Sequence, residues 1–127
     1  MNAKTVVRVV SGLAMIAIGV DHFASPDFFV RIVPRFLPAP LVLVWVSGVF
    51  EILGGLGLFA PWPKVRRAAG IGLCALYVAV FPANVNMCVH PELGGSIPPW
   101  ALWLRLPFQI VFIAVALWVS SAAEERS

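Results

Sequence analysis

Pro40–Ala60 reads PLVLVWVSGVFEILGGLGLFA, twenty-one residues with a single ionisable side chain, Glu51. Crossing about 30 Å of hydrocarbon takes about 20 predominantly apolar residues in a helix. The stretch has that length, and its one carboxylate falls near the middle. A helix of this kind belongs in a membrane.

Three further runs of the same character flank it: Thr5–Phe23, Arg67–Val89 and Pro99–Ser121. The segments between them carry proline and charge, as SPDFFVRIVPRFLPAP (25–40), PWPKVRR (61–67) and HPELGGSIPP (90–99). Proline and glycine clusters of this sort punctuate helices. Composition agrees, since 61% of the 127 residues are hydrophobic and 12% charged. Soluble domains average about 45–50% apolar and about 25% charged, so hydrocarbon must be part of this chain's solvent. The expected fold is all-α: one domain over residues 1–127, a four-transmembrane-helix bundle in the lipid bilayer. Most of the tryptophans (Trp45, Trp62, Trp100, Trp103, Trp118) lie near span ends, where interfacial aromatics belong.

Lys4 and Arg8 precede the first run, but Asp21-His22-Phe23 follows Val20 where a signal peptide would carry a small-x-small cleavage site. The run is expected to remain as a membrane helix. Lys4, Arg8, Lys64, Arg66, Arg67 and Arg126 fall on one side of the membrane, and Arg31, Arg35 and Arg105 on the other. That imbalance places both termini in the cytoplasm. The net charge of +3 is small and scattered, which speaks against a nucleic-acid partner. In the first outer loop, Ser25-Pro26-Asp27 reads as an N-cap, a proline at N1 and an acid in the first turn. A short amphipathic helix over Pro26–Ile32 is expected along the outer surface, with Phe28 and Phe29 dipping into the interface. It serves either as a strap or as a lid.

An ionisable group in mid-membrane costs at least about 2.5–3.5 kcal/mol and needs a partner or a purpose. At the helical rise Glu51 lies about 16 Å into its span, Gln109 about 15 Å and Arg105 about 9 Å into theirs. His22 sits about 9 Å short of the outer boundary, with Asn84 nearer still. These depths converge on the outer half of one bundle. Gly48, Glu51 and Gly55 share a helix face, as do Gly12, Met15, Gly19 and His22, and likewise Gly70, Tyr77 and Asn84. Arg105 and Gln109 are neighbours at i, i+4. Small residues mark helix contacts in membranes, so these stripes are expected to meet. Pro82 and Pro107 free the carbonyls of Val78 and Trp103, with Tyr77, Asn84, Asn86 and Gln109 near enough to satisfy them.

His22, Glu51, Asn84, Arg105 and Gln109 are therefore the candidates for ligand binding or proton transfer, with Asp21, Tyr77 and Asn86 beside them. The same residues also read as a buried network that only fixes helix packing. A small transporter is a further reading, which would need at least a homo-oligomer to build its pathway. No catalytic motif and no metal-ligand spacing occurs. GGLGLF follows a membrane carboxylate and is better explained by helix packing than by phosphate binding. Cys74 and Cys88 lie about 21 Å apart along one helix, too far for a disulfide.

Taken together, GVDHF (19–23), RIVPRFLPAP (31–40), SGVFEILGGLGLFAP (47–61), RRAAGIGLCALYVAVFPANVNM (66–87) and RLPFQ (105–109) resemble the DoxX family of small bacterial membrane proteins. The resemblance covers nearly the whole chain. It implies a multi-pass protein of the bacterial cell inner membrane, and a possible link to quinone and to a redox partner subunit. It marks His22, Glu51, Asn84, Arg105 and Gln109 as the polar positions of the family pattern. It implies no particular reaction.

Overall fold

The computed structural model describes residues 2–121. Its helices are α1 (Ala3–Ala24), α2 (Pro26–Ile32), α3 (Pro40–Leu58), α4 (Pro63–Val89) and α5 (Pro99–Ser120), with a 3-10 turn over Pro91–Gly94. No strand occurs among the described residues. α1, α3, α4 and α5 are each long and apolar enough to cross a membrane. The chain is an all-α bundle of four membrane helices, and so a multi-pass membrane protein. Arg126, counted above for orientation, lies outside the described residues.

Proline starts most of these helices. Pro26, Pro40, Pro63 and Pro99 stand in the first turns of α2, α3, α4 and α5. There the missing N–H costs nothing, and the fixed φ already suits a helix. α1 uses a side chain instead: Asn2 Oδ1 accepts from the Thr5 N–H at 2.9 Å. Ser25 departs from its expected role. Its hydroxyl caps nothing, and its N–H bonds to the Asp21 carbonyl at 2.8 Å, closing α1.

The four long helices form two close pairs. A Cβ added to Gly55 would lie 2.7 Å from the Gly12 carbonyl oxygen, and one added to Gly19 would lie 2.8 Å from that of Gly48. Only glycine permits this approach of α1 to α3. α4 and α5 pair through Gly70, where an added Cβ would lie 2.9 Å from the Ala116 carbonyl oxygen. The Cys74 and Cys88 thiols extend that contact, donating to the carbonyls of Ile113 (3.6 Å) and Leu102 (3.2 Å). The small-residue stripes thus meet two by two rather than around one axis.

The pairs join firmly at the end that carries the termini. Met15, Leu58, Leu73, Ala116 and Val119 form a buried cluster there. Gly54 receives Leu73, and Gly57 receives Ala69. Lys4 Nζ donates to the Ser121 carbonyl and so ties α1 to the end of α5, while Arg67 Nη1 secures α4 to α5 at the Leu117 carbonyl, 2.9 Å away. At the opposite end, α2 closes the gap. Ile32 packs with Met87, Cys88 and Leu102, while Asn86 Nδ2 donates to the Ile32 carbonyl at 3.0 Å. That bond satisfies one of the carbonyls orphaned at the end of α2.

α2 does not lie on the outer surface with its aromatics in the interface. The Phe29 ring stacks on His22 at 3.9 Å, and Phe28 packs against the Ile32 cluster. The reason lies in the α1–α3 contact. Gly19 meets Gly48, so the last turn of α1 is level with the middle of α3. Only Ser25 separates α1 from α2, which therefore starts beside the middle of α3 and turns its rings inward.

Candidate functional site

Between the two helix pairs lies a cavity of about 720 Å³. Small-molecule sites typically run about 300–1,000 Å³. The firm contacts at the terminal end close it on one side, and α2 covers it on the other. Among the sequence candidates, His22, Glu51, Tyr77, Asn84, Arg105 and Gln109 all contribute to its wall.

α3 supplies the polar floor. Ser47 and Glu51 are four residues apart, so their side chains stack on one helix face. Both line the cavity. Glu51 is 6% exposed. Its Oε2 and the Ser47 Oγ are buried without a hydrogen-bond partner. Desolvated acceptors in this state cost about 1–3 kcal/mol each and call for an explanation.

His22 projects from the last turn of α1 towards this floor. Its Nδ1 lies 2.7 Å from the Ile18 carbonyl oxygen and 3.3 Å from Glu51 Oε2. A carbonyl only accepts, so the Nδ1 hydrogen is directed at Ile18. The approach to Glu51 is then a close contact without a hydrogen bond, which is why Oε2 remains orphaned. The same assignment leaves Nε2 as an acceptor when the ring is neutral.

The facing wall comes from α4 and α5. Arg105 lines the cavity and is exposed, and no ion pair joins it to Glu51 among the described residues. Asn84 lines the cavity half-buried. Gln109 is committed to structure: Nε2 donates to the Tyr77 carbonyl, one residue before the carbonyl that Pro82 frees. The Tyr77 hydroxyl reaches across to α1 and donates to Met15 Sδ at 3.4 Å. That bond links the two pairs at the cavity's inner end.

Two secondary candidates stand apart. Asp21 is exposed and does not line the cavity, because it precedes His22 by one position and points about 100° away around α1. Asn86 holds the Ile32 carbonyl and borders a smaller groove with Phe36 and Phe81. Two residues join the site that the sequence did not single out for it. Ser47 was visible only as a flank of the Glu51 stripe, whereas Phe29 is placed by the inward turn of α2, which no periodicity encodes.

Among the described residues, no group of three or more His, Cys, Asp or Glu side chains is placed to hold a metal ion. Cys74 and Cys88 are free thiols. What the arrangement offers is a membrane-level chamber with bare acceptors on one wall and a guanidinium on the other.

No curated protein and no solved structure matches this chain. The model of a family described as a domain of unknown function, DUF8561, matches residues 11–120, and the chain belongs to that family.

Proposed function

We propose that this protein is a membrane-embedded binding subunit whose cavity holds a small molecule for a redox partner. Quinone is the ligand class to test first. One observation carries the reading: Glu51 Oε2 is buried, unpartnered and set in the wall of a ligand-sized cavity. A carboxylate placed there only for packing would be expected to have its hydrogen bonds filled. The resemblance to the DoxX family supports the quinone-linked partner and the bacterial inner membrane. The distribution of Lys and Arg supports cytoplasmic termini, which sets the Glu51 chamber in the outer half of the bilayer.

In this reading Arg105 donates to a ligand oxygen, while Glu51 and His22 accept or pass protons. Asn84 positions the ligand from the α4 side. A structural reading draws on a different observation, since Gln109 and Asn86 are both given to backbone carbonyls. It accounts for those two residues and leaves Glu51 Oε2 and Ser47 Oγ unexplained.

The test is extraction in native-lipid particles followed by mass spectrometry of all that co-purifies. A stoichiometric quinone or redox subunit is expected, depleted in Glu51→Gln and in Arg105→Ala. Bulk lipid alone, unchanged by either substitution, would favour the structural network.

A further inference from the structure

We infer that the cavity selects a neutral, tailed amphiphile whose head donates a hydrogen bond, an alcohol or phenol, taken directly from the bilayer. The inference rests on the cavity being a binding site and goes further by assigning the head, the tail and the route.

The head follows from the donor and acceptor inventory. Ser47 Oγ and Glu51 Oε2 are adjacent on one face of α3, both buried and both without a partner. The Nδ1 hydrogen of His22 is directed at the Ile18 carbonyl, so it does not serve Oε2. With Glu51 ionised, Oε2 is an acceptor only. A ligand hydroxyl completes this wall, donating to Oε2 and accepting from the Ser47 hydroxyl. A ketone or ether head offers no donor and leaves Oε2 bare, so of a quinone couple the reduced, phenolic form is the one this wall holds.

Charge narrows the class. Arg105 lines the cavity opposite Glu51, so a cationic head meets a guanidinium and an anionic head meets a carboxylate. A neutral donor escapes both penalties.

The tail and the route follow from exposure. Val46 and Phe50 line the cavity yet are 45% and 58% exposed, so they border a mouth on the α3 side. Both lie within the α3 membrane span, where the surroundings are hydrocarbon. α3 and α4 touch nearer the terminal end, at Gly54–Leu73 and Gly57–Ala69, and this leaves their other halves apart. The mouth opens sideways into lipid, and a ligand held by its head on Glu51 extends an alkyl chain past Phe50.

The test uses two probes with the same tail, 4-nonylphenol and its methyl ether 4-nonylanisole. Retention by the full chain in lipid nanodiscs is read by native mass spectrometry. The phenol is expected to bind at least about tenfold more tightly, the effect of one hydrogen bond to a charged or desolvated acceptor. That preference should vanish in Glu51→Leu and shrink in Ser47→Ala. Should Glu51→Leu fail to fold, Ser47→Ala decides. Equal binding of the two probes overturns the donor-head assignment while leaving a binding cavity in place. A preference that survives both substitutions overturns the assignment to the α3 wall. If neither probe binds, the cavity reading falls with it.

Discussion

His22 Nδ1 stands between two oxygens, 2.7 Å from the Ile18 carbonyl and 3.3 Å from Glu51 Oε2. One hydrogen cannot serve both, and the shorter contact takes it. An apparent ion pair at membrane depth is thereby a neighbour relationship that leaves the carboxyl oxygen bare. The geometry sets local stability against function, because Glu51 is held where it costs energy and gains nothing from the protein itself.

Glu51→Gln is therefore expected to raise thermal stability in detergent, by about 1–2 kcal/mol, since it removes an unpaired ionisable group from the bundle interior. The same substitution should weaken ligand retention, since the amide keeps an acceptor but loses the charge. Activity and stability moving in opposite directions is the signature of a strained site. A fall in melting temperature would show instead that Glu51 is a structural partner.

The α1–α3 seam makes a prediction about Gly55, with Gly72 on an open face of α4 as its control. Gly55→Ala would push a methyl to 2.7 Å from the Gly12 carbonyl oxygen, and backbone cannot step aside. A loss of about 1–3 kcal/mol is expected from overpacking. Gly72→Ala meets nothing within 4 Å, so the higher helix propensity of alanine should leave stability unchanged or raise it. Thermal melts of the two variants in one detergent compare them directly. Equal losses would mean that α1 and α3 do not pack through glycine.

Phe29 shields His22 by stacking on its ring. The His22 side chain is 7% exposed, against 55% for His90, the other histidine of the chain. Diethylpyrocarbonate should modify His90 readily and His22 slowly, and Phe29→Ala should raise modification of His22 alone. Peptide mass spectrometry reads each site separately. If His22 remains protected in Phe29→Ala, α2 is not its cover.

How much of this was legible beforehand depends on the length scale of each signal. The four spans follow from apolar runs about one bilayer long, a signal that needs no neighbour to interpret. The glycine faces of α1 and α3 were visible for the same reason, since Gly12–Gly19 and Gly48–Gly55 repeat within single helices. That Glu51 and His22 come together was legible from depth alone. The division into two pairs was not, because each stripe says that a helix packs and not against which partner. The inward turn of α2 depends on where α1 stops relative to α3, a three-body relation. Gln109 and Asn86 read as site residues, yet a side-chain amide serves a ligand and a backbone carbonyl equally well.

Asn86 gives the last prediction. Its amide holds the Ile32 carbonyl at 3.0 Å, and Ile32 in turn buries Cys88 alongside Met87 and Leu102. Cys88 is thus a built-in reporter of whether α2 is docked. Hydrogen bonds between membrane helices average about 0.6 kcal/mol, so losing this one should increase the open population roughly threefold. Asn86→Ala is expected to raise the rate at which N-ethylmaleimide labels Cys88 by about that factor. Cys74 lies fourteen residues earlier on the same helix, about 21 Å away, bonded to Ile113 rather than to anything on α2. Its labelling should stay constant, and this makes it the internal control. A parallel rise at both thiols would mean that the substitution loosens the whole bundle, and α2 would lose its standing as a separately docked cover.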